Sequence, residues 1–278
     1  MAAAVARRAR PATGDIALTS DSGSDSVEQD ADNYQLTGSG SPTTCFVPGL
    51  GQSTSDTRPF GSGVVGSKVF VSLPGHDQRP VAGDLSYEQL IREVSGVIRN
   101  TRATRAVGVS LGASVLLSLP SEQLLTLDRL VLALPASIDE PRAAEMIEFS
   151  QRIADAIDSN DQIALPKLLV QMQPPSTHGR ADVRMWARRQ AAELGGTSVA
   201  EAFRVFPSSE PPVSLAALEE VQTPALVVAQ REDPWHSVET AEQLAATLPN
   251  ARLVVSDVPW LWRARAELRE VISQFLNT

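Results

Sequence analysis

The feature that most constrains this chain is Gly108-Val109-Ser110-Leu111-Gly112, which follows a short apolar run and opens an apolar segment rich in small residues. Residues 105 to 109 (RAVGV) read as the end of a buried strand, and residues 111 to 119 (LGASVLLSL) as a buried helix that Pro120 ends. A serine at that junction sits on a sharp strand-to-helix turn, which is why small glycines must flank it on both sides. The bland alternative is a glycine-bracketed serine in an ordinary turn, and the flanking strand and helix patterns argue against it.

Around this turn the rest of the chain alternates strand and helix patterns. Residues 44 to 47 (TCFV) form a short strand that runs into Pro48-Gly49-Leu50-Gly51-Gln52. A glycine-rich turn at that place can aim a backbone N–H at the elbow side chain, so the Leu50 and Leu111 amides are the expected oxyanion-hole donors. Residues 68 to 73 (KVFVSL) are a strand ending in Pro74-Gly75-His76-Asp77, and Ser86 caps a helix (SYEQLIREVSGVIRN) with Leu90, Ile91, Val94, Val97 and Ile98 on one face. Further strands fall at residues 129 to 134, 225 to 229 and 251 to 255, and a helix from about 263 to 276 closes the chain. Weaker strand patterns lie at residues 15 to 19 and 34 to 37. The order predicts an α/β fold, a doubly wound, mostly parallel sheet. Between Asp139 and Leu215 only amphipathic helical stretches occur, broken by Pro174-Pro175, Gly195-Gly196 and Pro211-Pro212, so residues 139–215 read as a helical cap inserted after the sixth strand. The expected organisation is a disordered leader over 1–13, a core of 14–138 and 216–278, and that cap.

From about residue 43 onward the chain resembles the α/β-hydrolase superfamily. The resemblance rests on PGLGQSTSDTRPF, LPGHDQRP, VGVSLGAS and REDPWHSVETAEQLAATLPNARLVV, four motifs in the superfamily's order. It implies that Ser110 matches the nucleophile, Leu50 and Leu111 the oxyanion-hole amides, and Asp233 the triad acid. Read without the resemblance, Asp233 is equally a loop or helix N-terminal residue. The superfamily's histidine usually lies in the loop after the last strand, which here reads Ser256-Asp257-Val258-Pro259-Trp260-Leu261-Trp262-Arg263 and holds none. The three histidines, His76, His178 and His236, each read as a surface or hydrogen-bonded loop residue, His236 at a common capping position three residues past Asp233. A serine hydroxyl with no base is a weak nucleophile, so ordinary hydrolysis is not the expectation.

Over its whole length the chain looks most like the atypical α/β-hydrolase-fold proteins of actinobacterial natural-product pathways, in particular the epimerases of bottromycin-type ribosomal peptides. The points of likeness are the serine- and aspartate-rich leader, the missing triad histidine and the tryptophan-rich closing loop. That resemblance implies epimerisation of an L-aspartate next to a thiazoline in a macrocyclic peptide, with the substrate's own carboxylate as base and the pocket supplying orientation and fixed dipoles. Two alternatives stay open: a serine hydrolase or thioesterase-like acyltransferase using Ser110 with His178 or His236, and a non-catalytic binding protein for a hydrophobic product.

Partners follow from charge and aromatic placement. A formal charge of −9 over 278 residues argues against nucleic acid, whose backbone needs a basic surface. Single Cys45 excludes an internal disulfide and fits a reducing cytoplasm, and no run approaches a membrane span. Neither a cofactor nor a metal is expected. Trp235, Trp260 and Trp262 fall in loops at strand ends, and Met146, Phe149 and Trp186 lie on cap stripes that would roof a pocket, more often core than ligand contact. Met146, Phe149, Trp186, Trp235 and Trp260, with Gly49, Leu50, Leu111 and His178, make the expected substrate-binding set for a small molecule or macrocyclic peptide, and contact with other enzymes of the same pathway is expected.

Overall fold

Period-two alternation in the strands sorts their side chains onto the two faces of one sheet, and the whole architecture follows from what covers each face. The computed structural model describes residues 33–136, 138–139 and 142–278, all within the unit Ala31–Thr278. The expected leader and the strand pattern at residues 15 to 19 lie outside the described residues. The strands are β1 (Tyr34–Thr37), β2 (Thr43–Val47), β3 (Ser67–Val71), β4 (Arg105–Val109), β5 (Arg129–Ala133), β6 (Ala225–Gln230) and β7 (Ala251–Ser256). They lie in the order β1-β3-β2-β4-β5-β6-β7, with β1 antiparallel and every other pairing parallel.

On one face Cys45, Val47, Ala106, Leu130, Leu132 and Val227 enter one core. On the other, Phe46, Val107, Val109, Val131, Leu226 and Val228 enter a second. Of the helices before the cap, α1 (Thr54–Thr57) is one turn, α2 (Tyr87–Thr101) and α3 (Leu111–Leu117) cover the first face, and α4 (Ser121–Leu124) is again one turn. Helix α2 begins where Ser86 accepts the Gln89 N–H, and Leu90, Val94, Val97 and Ile98 go into the core. Each such fully buried apolar side chain contributes roughly 1.5–3 kcal/mol.

Between β5 and β6 the chain forms α5 (Ala144–Asp158), α6 (Ala164–Gln171), α7 (Ala181–Leu194), α8 (Val199–Ser208) and the single turn α9 (Leu215–Leu218). This helical segment follows the fifth described strand. Its apolar stripes are mostly core: Ile153, Ile157, Val183 and Ala187 are fully buried, and Ser150 Oγ donates to the Phe203 carbonyl at 2.7 Å, tying α5 to α8. After β6 come α10 (Val238–Thr247), α11 (Trp260–Arg263) and α12 (Arg265–Asn277), whose Leu268, Ile272 and Leu276 cover the second face.

Strand β3 ends at Val71 rather than at residue 73, the other strands shift by a residue at most, and two helix boundaries differ from the sequence expectation. Helix α3 ends at Leu117: Ser118, at φ −96° and ψ 6°, leaves the helical region two residues before Pro120. The closing helix is broken at Ala264, whose φ of −134° and ψ of 33° leave the helical region between α11 and α12. Among the described residues no helix is long and apolar enough to cross a membrane, and no cluster of metal-ligating side chains occurs.

Candidate active site

Strand order places the site. The chain passes from β2 outward to β3 and then returns across the sheet to β4, so the loops leaving β2 and β4 separate in opposite directions. A crevice opens at the carboxyl ends of such a strand pair. Val47 at the end of β2 lies beside Gly108 in β4, which brings the turn Pro48–Gln52 against the turn at Ser110.

Ser110 has φ 50° and ψ −111°, a conformation that costs an L-residue about 1–3 kcal/mol and lifts its side chain clear of both strand and helix. The flanking glycines are there for steric reasons. A Cβ on Gly108 would lie 2.5 Å from the Gly112 carbonyl oxygen, and one on Gly112 would lie 2.3 Å from that of Val47. Helix α3 therefore approaches β2 as closely as backbone allows. In the neighbouring turn the Gln52 N–H donates to the Gly49 carbonyl at 3.1 Å, and the Gly49 N–H to Gln52 Oε1 at 2.8 Å. Among the described residues the Leu50 and Leu111 N–H groups donate to no protein acceptor.

His76 holds this turn from behind. It is buried; its Nδ1–H donates to the Pro74 carbonyl and its Nε2 accepts the Gly51 N–H, both at 3.0 Å. Burial, aided by the charge of Arg79, pulls its pKa down to about 4 against the backbone of Pro74 and Leu73, which raises it. The ring is neutral and Nε2 stays an acceptor. From the cap, Gln190 Nε2 donates to the Gly51 carbonyl at 3.0 Å, and the Phe203 ring fills the space a Gly51 side chain would take.

The histidine that sequence reasoning set aside is the one that reaches the serine. His236 Nε2 lies 2.8 Å from Ser110 Oγ, and His236 Nδ1 lies 3.0 Å from Asp233 Oδ1. The expectation that no base stands within reach of Ser110 is therefore corrected. The capping reading of His236 describes its backbone well: Asp233 Oδ1 also accepts the N–H groups of Trp235 (2.9 Å) and His236 (3.0 Å). That Asx turn swings the imidazole back toward β4, which three residues of sequence spacing alone do not reveal. Asp233 Oδ2 accepts Gln230 Nε2 at 2.7 Å. Burial pushes the carboxyl pKa up, but the His236 charge and the hydrogen bonds from His236, Trp235 and Gln230 outweigh it and hold the pKa below the usual range. Asp233 is thus an anion with 6% of its side chain exposed, and His236 has 16%.

Gln230 fixes the loop after β7 as well. Its Oε1 accepts the Trp260 N–H at 2.8 Å, while the Trp260 indole N–H donates to the Ala229 carbonyl at 2.7 Å. Trp260 is buried in the second core, so the loop from which the superfamily draws its histidine is locked against β6 instead.

A cavity of about 820 Å³ opens over Ser110. Of the expected substrate-binding residues, Gly49, Leu50, Trp186 and Trp235 are on its wall. Leu111, Met146, Phe149, His178 and Trp260 are not. Phe149 instead packs behind Trp235, ring centroids 5.5 Å apart, and His178 Nε2 bonds to the Gln173 carbonyl at 2.7 Å. Trp262 meets Trp186 edge to face at 5.5 Å and donates to Gln173 Oε1 at 2.9 Å, joining the closing loop to the cap across the cavity roof. Arg142, Gln230 and Gln52 are wall residues that sequence reasoning missed, and no sequence pattern marks them.

No family model matches the sequence, and a search of curated proteins finds no match either. Solved structures do. The chain superposes on MGS-M2, an alpha/beta hydrolase enzyme from a Medee basin deep-sea metagenome library, with a TM-score of 0.74 at 15% identity, covering 88% of this chain and 94% of that one. MenH from S. aureus gives 0.67 at 17% identity, over 88% and 98% of the two chains. The enol-lactonase from Burkholderia xenovorans LB400 gives 0.70 at 18%, over 88% and 96%. Together with the parallel sheet, the switch-point crevice and the strained serine between two glycines, these likenesses establish that the chain has the α/β-hydrolase fold.

Proposed function

We propose that the chain is a serine-dependent acyl-transfer enzyme that hydrolyses or transfers an acyl group from a bulky substrate. The single observation that supports this reading is the unbroken hydrogen-bond relay Ser110–His236–Asp233 under the cavity. His236 Nε2 takes the Ser110 proton as Oγ bonds to the substrate carbonyl carbon. The carbonyl oxygen, now negative, lies between the Leu50 and Leu111 amides. Collapse breaks the bond to the leaving group, which departs with the proton held by His236. Water or a second acceptor then repeats the sequence and frees Ser110. Asp233 keeps the imidazole in the Nδ1–H tautomer and stabilises its charged form. The test is labelling by a fluorophosphonate. One adduct on Ser110, lost in Ser110→Ala and slowed by a thousandfold or more in His236→Gln, is the expected result; no adduct on folded protein refutes the reading.

A second reading is favoured by the size and aromatic lining of the cavity, where Trp186, Trp235 and Trp262 suit a modified peptide. In it the chain epimerises an aspartate beside a thiazoline in a bottromycin-type macrocycle, as its sequence resemblance implies. With His236 in the cavity, the substrate carboxylate is no longer the only base at hand. Run in D₂O, an epimerase adds one deuterium at the aspartate Cα and yields a second diastereomer, whereas a hydrolase adds the mass of water and leaves Cα–H untouched.

A further inference from the structure

We propose that Arg142 anchors a carboxylate of the substrate inside the catalytic cavity, so that the enzyme prefers acyl compounds that carry a second, ionised carboxyl group. The inference rests on the reading that this cavity is the substrate site. Arg142 lies on the cavity wall with Ser110 and Asp233 and is partly buried. Its guanidinium is held at one corner only: Nη1 donates to the Trp235 carbonyl at 3.1 Å, and its carbon stands 5.6 Å from the centroid of the Trp235 ring. That ring is supported by Phe149, tilted 57° to it, and Arg152 lies 4.9 Å from the Phe149 centroid, so aromatic contacts hold Trp235 in place beside Arg142. Among the described residues Nε and Nη2 have no acceptor, and no carboxylate forms an ion pair with Arg142.

A side-on guanidinium edge with two parallel N–H groups matches the two oxygens of a carboxylate, and a desolvated arginine is worth most to a partner that neutralises it. Burial already works against the Arg142 charge, with Asp233 supporting it. The surroundings point the same way. Although the whole chain carries −9, the cavity wall holds Arg142, Arg189, Arg263 and Arg265 against Asp56, Asp182 and Asp233; Arg189 lies 3.7 Å from Glu193, and the three acids have partners of their own. Asp233 serves His236, Asp182 pairs with Arg180 at 2.8 Å, and Asp56 accepts the Ser53 N–H at 2.9 Å.

The test separates this assignment from the chemistry. In Ser110→Ala, which removes turnover, 5-phenylpentanoate and the neutral isostere 5-phenylpentanamide are titrated by calorimetry, with tryptophan emission as a second readout. The acid is expected to bind at least tenfold tighter than the amide. Arg142→Gln should abolish that preference, and Arg142→Lys should restore part of it with a steeper salt dependence. Equal binding of acid and amide, binding of neither, or an unchanged preference in a folded Arg142→Gln protein overturns the proposal. Acid-selective binding by a protein that never forms a Ser110 adduct would keep Arg142 as the anchor and remove the acyl-transfer reading instead.

Discussion

Replacing Asp233 by asparagine exchanges one carboxylate oxygen for an NH₂ group, and the structure fixes where that group must go. Oδ1 accepts three N–H groups, two from backbone and one from His236, so the asparagine carbonyl is needed there and its NH₂ turns toward Gln230 Nε2. Gln230 cannot flip to receive it without giving up the Trp260 N–H on its Oε1. Two donors then face each other in a buried place, at a cost of about 1–3 kcal/mol. Should the side chain flip instead, its NH₂ meets His236 and favours the wrong tautomer, and the loss of transition-state stabilisation is about 10⁴ in rate, or about 5 kcal/mol. Either way the charge that stabilises the imidazolium is gone. The assays are the second-order rate of fluorophosphonate labelling and turnover of an activated ester, beside a urea melt. The expected result is a loss of about 10³–10⁴ in rate with a fall of about 1–3 kcal/mol in stability. Adding Gln230→Glu restores an acceptor for the asparagine NH₂ while the second oxygen keeps the Trp260 N–H, so the double variant should recover stability and not rate. A rate within tenfold of wild type in Asp233→Asn refutes the reasoning and leaves Asp233 as the cap of its turn.

Further outcomes follow from individual contacts. His76 has a folded pKa of about 4 against an ordinary 6.5, so it contributes stability that is complete above pH 6.5 and is lost as pH falls toward 4; the loss is about 3 kcal/mol, and chemical denaturation of His76→Gln should show a flatter acid limb than wild type. A wild-type protein equally stable at pH 4.5 and 7 would count against this. At position 110, glycine and alanine both remove the hydroxyl and differ only in tolerating φ 50°, so Ser110→Gly should melt higher than Ser110→Ala by the equivalent of about 1 kcal/mol, and the reverse order would show that the turn is unstrained. A histidine at position 260, where the superfamily's base is expected, should not rescue His236→Val: Trp260 faces the second core rather than the cavity, and Trp260→His should cost about 2–4 kcal/mol with no return of Ser110 labelling.

What was legible in the sequence is what local pattern dictates. Strand β4, the serine turn and α3 are written in one continuous stretch, because sterics at Gly108 and Gly112 admit nothing larger. Ser86 announces the start of α2 for an equally local reason. The mostly parallel, doubly wound sheet follows from the alternation of strand and helix patterns. Illegible was anything that depends on which loop a side chain faces after folding. His236 is 126 residues from Ser110, and its pattern, an acid followed three residues on by a histidine, is shared with ordinary capped turns. Arg142 carries no pattern at all, and Phe149 and Trp235 exchange the roles of support and wall only once α5 packs beside the loop after β6.

Drawing acid and base from one loop changes how the site is held together. When the two come from different strand ends, each can shift without the other, and their alignment depends on the sheet between them. Here Asp233 binds both the backbone and the ring of His236, so the pair moves as a unit and its internal geometry survives displacement of the loop. The vulnerable distance becomes the one from that unit to Ser110, which crosses from the end of β6 to the end of β4. Gln230 answers that weakness: seated on the last residue of β6, it grips the carboxylate with its amide nitrogen and the closing loop with its oxygen. The closing loop in turn reaches the cap through Trp262 and Gln173. A continuous chain of contacts therefore runs from the cap through Trp262, the closing loop, Trp260 and Gln230 to Asp233 and His236, so the side chain that orients the Asp233–His236 pair is also the one that seats the tryptophan-rich loop.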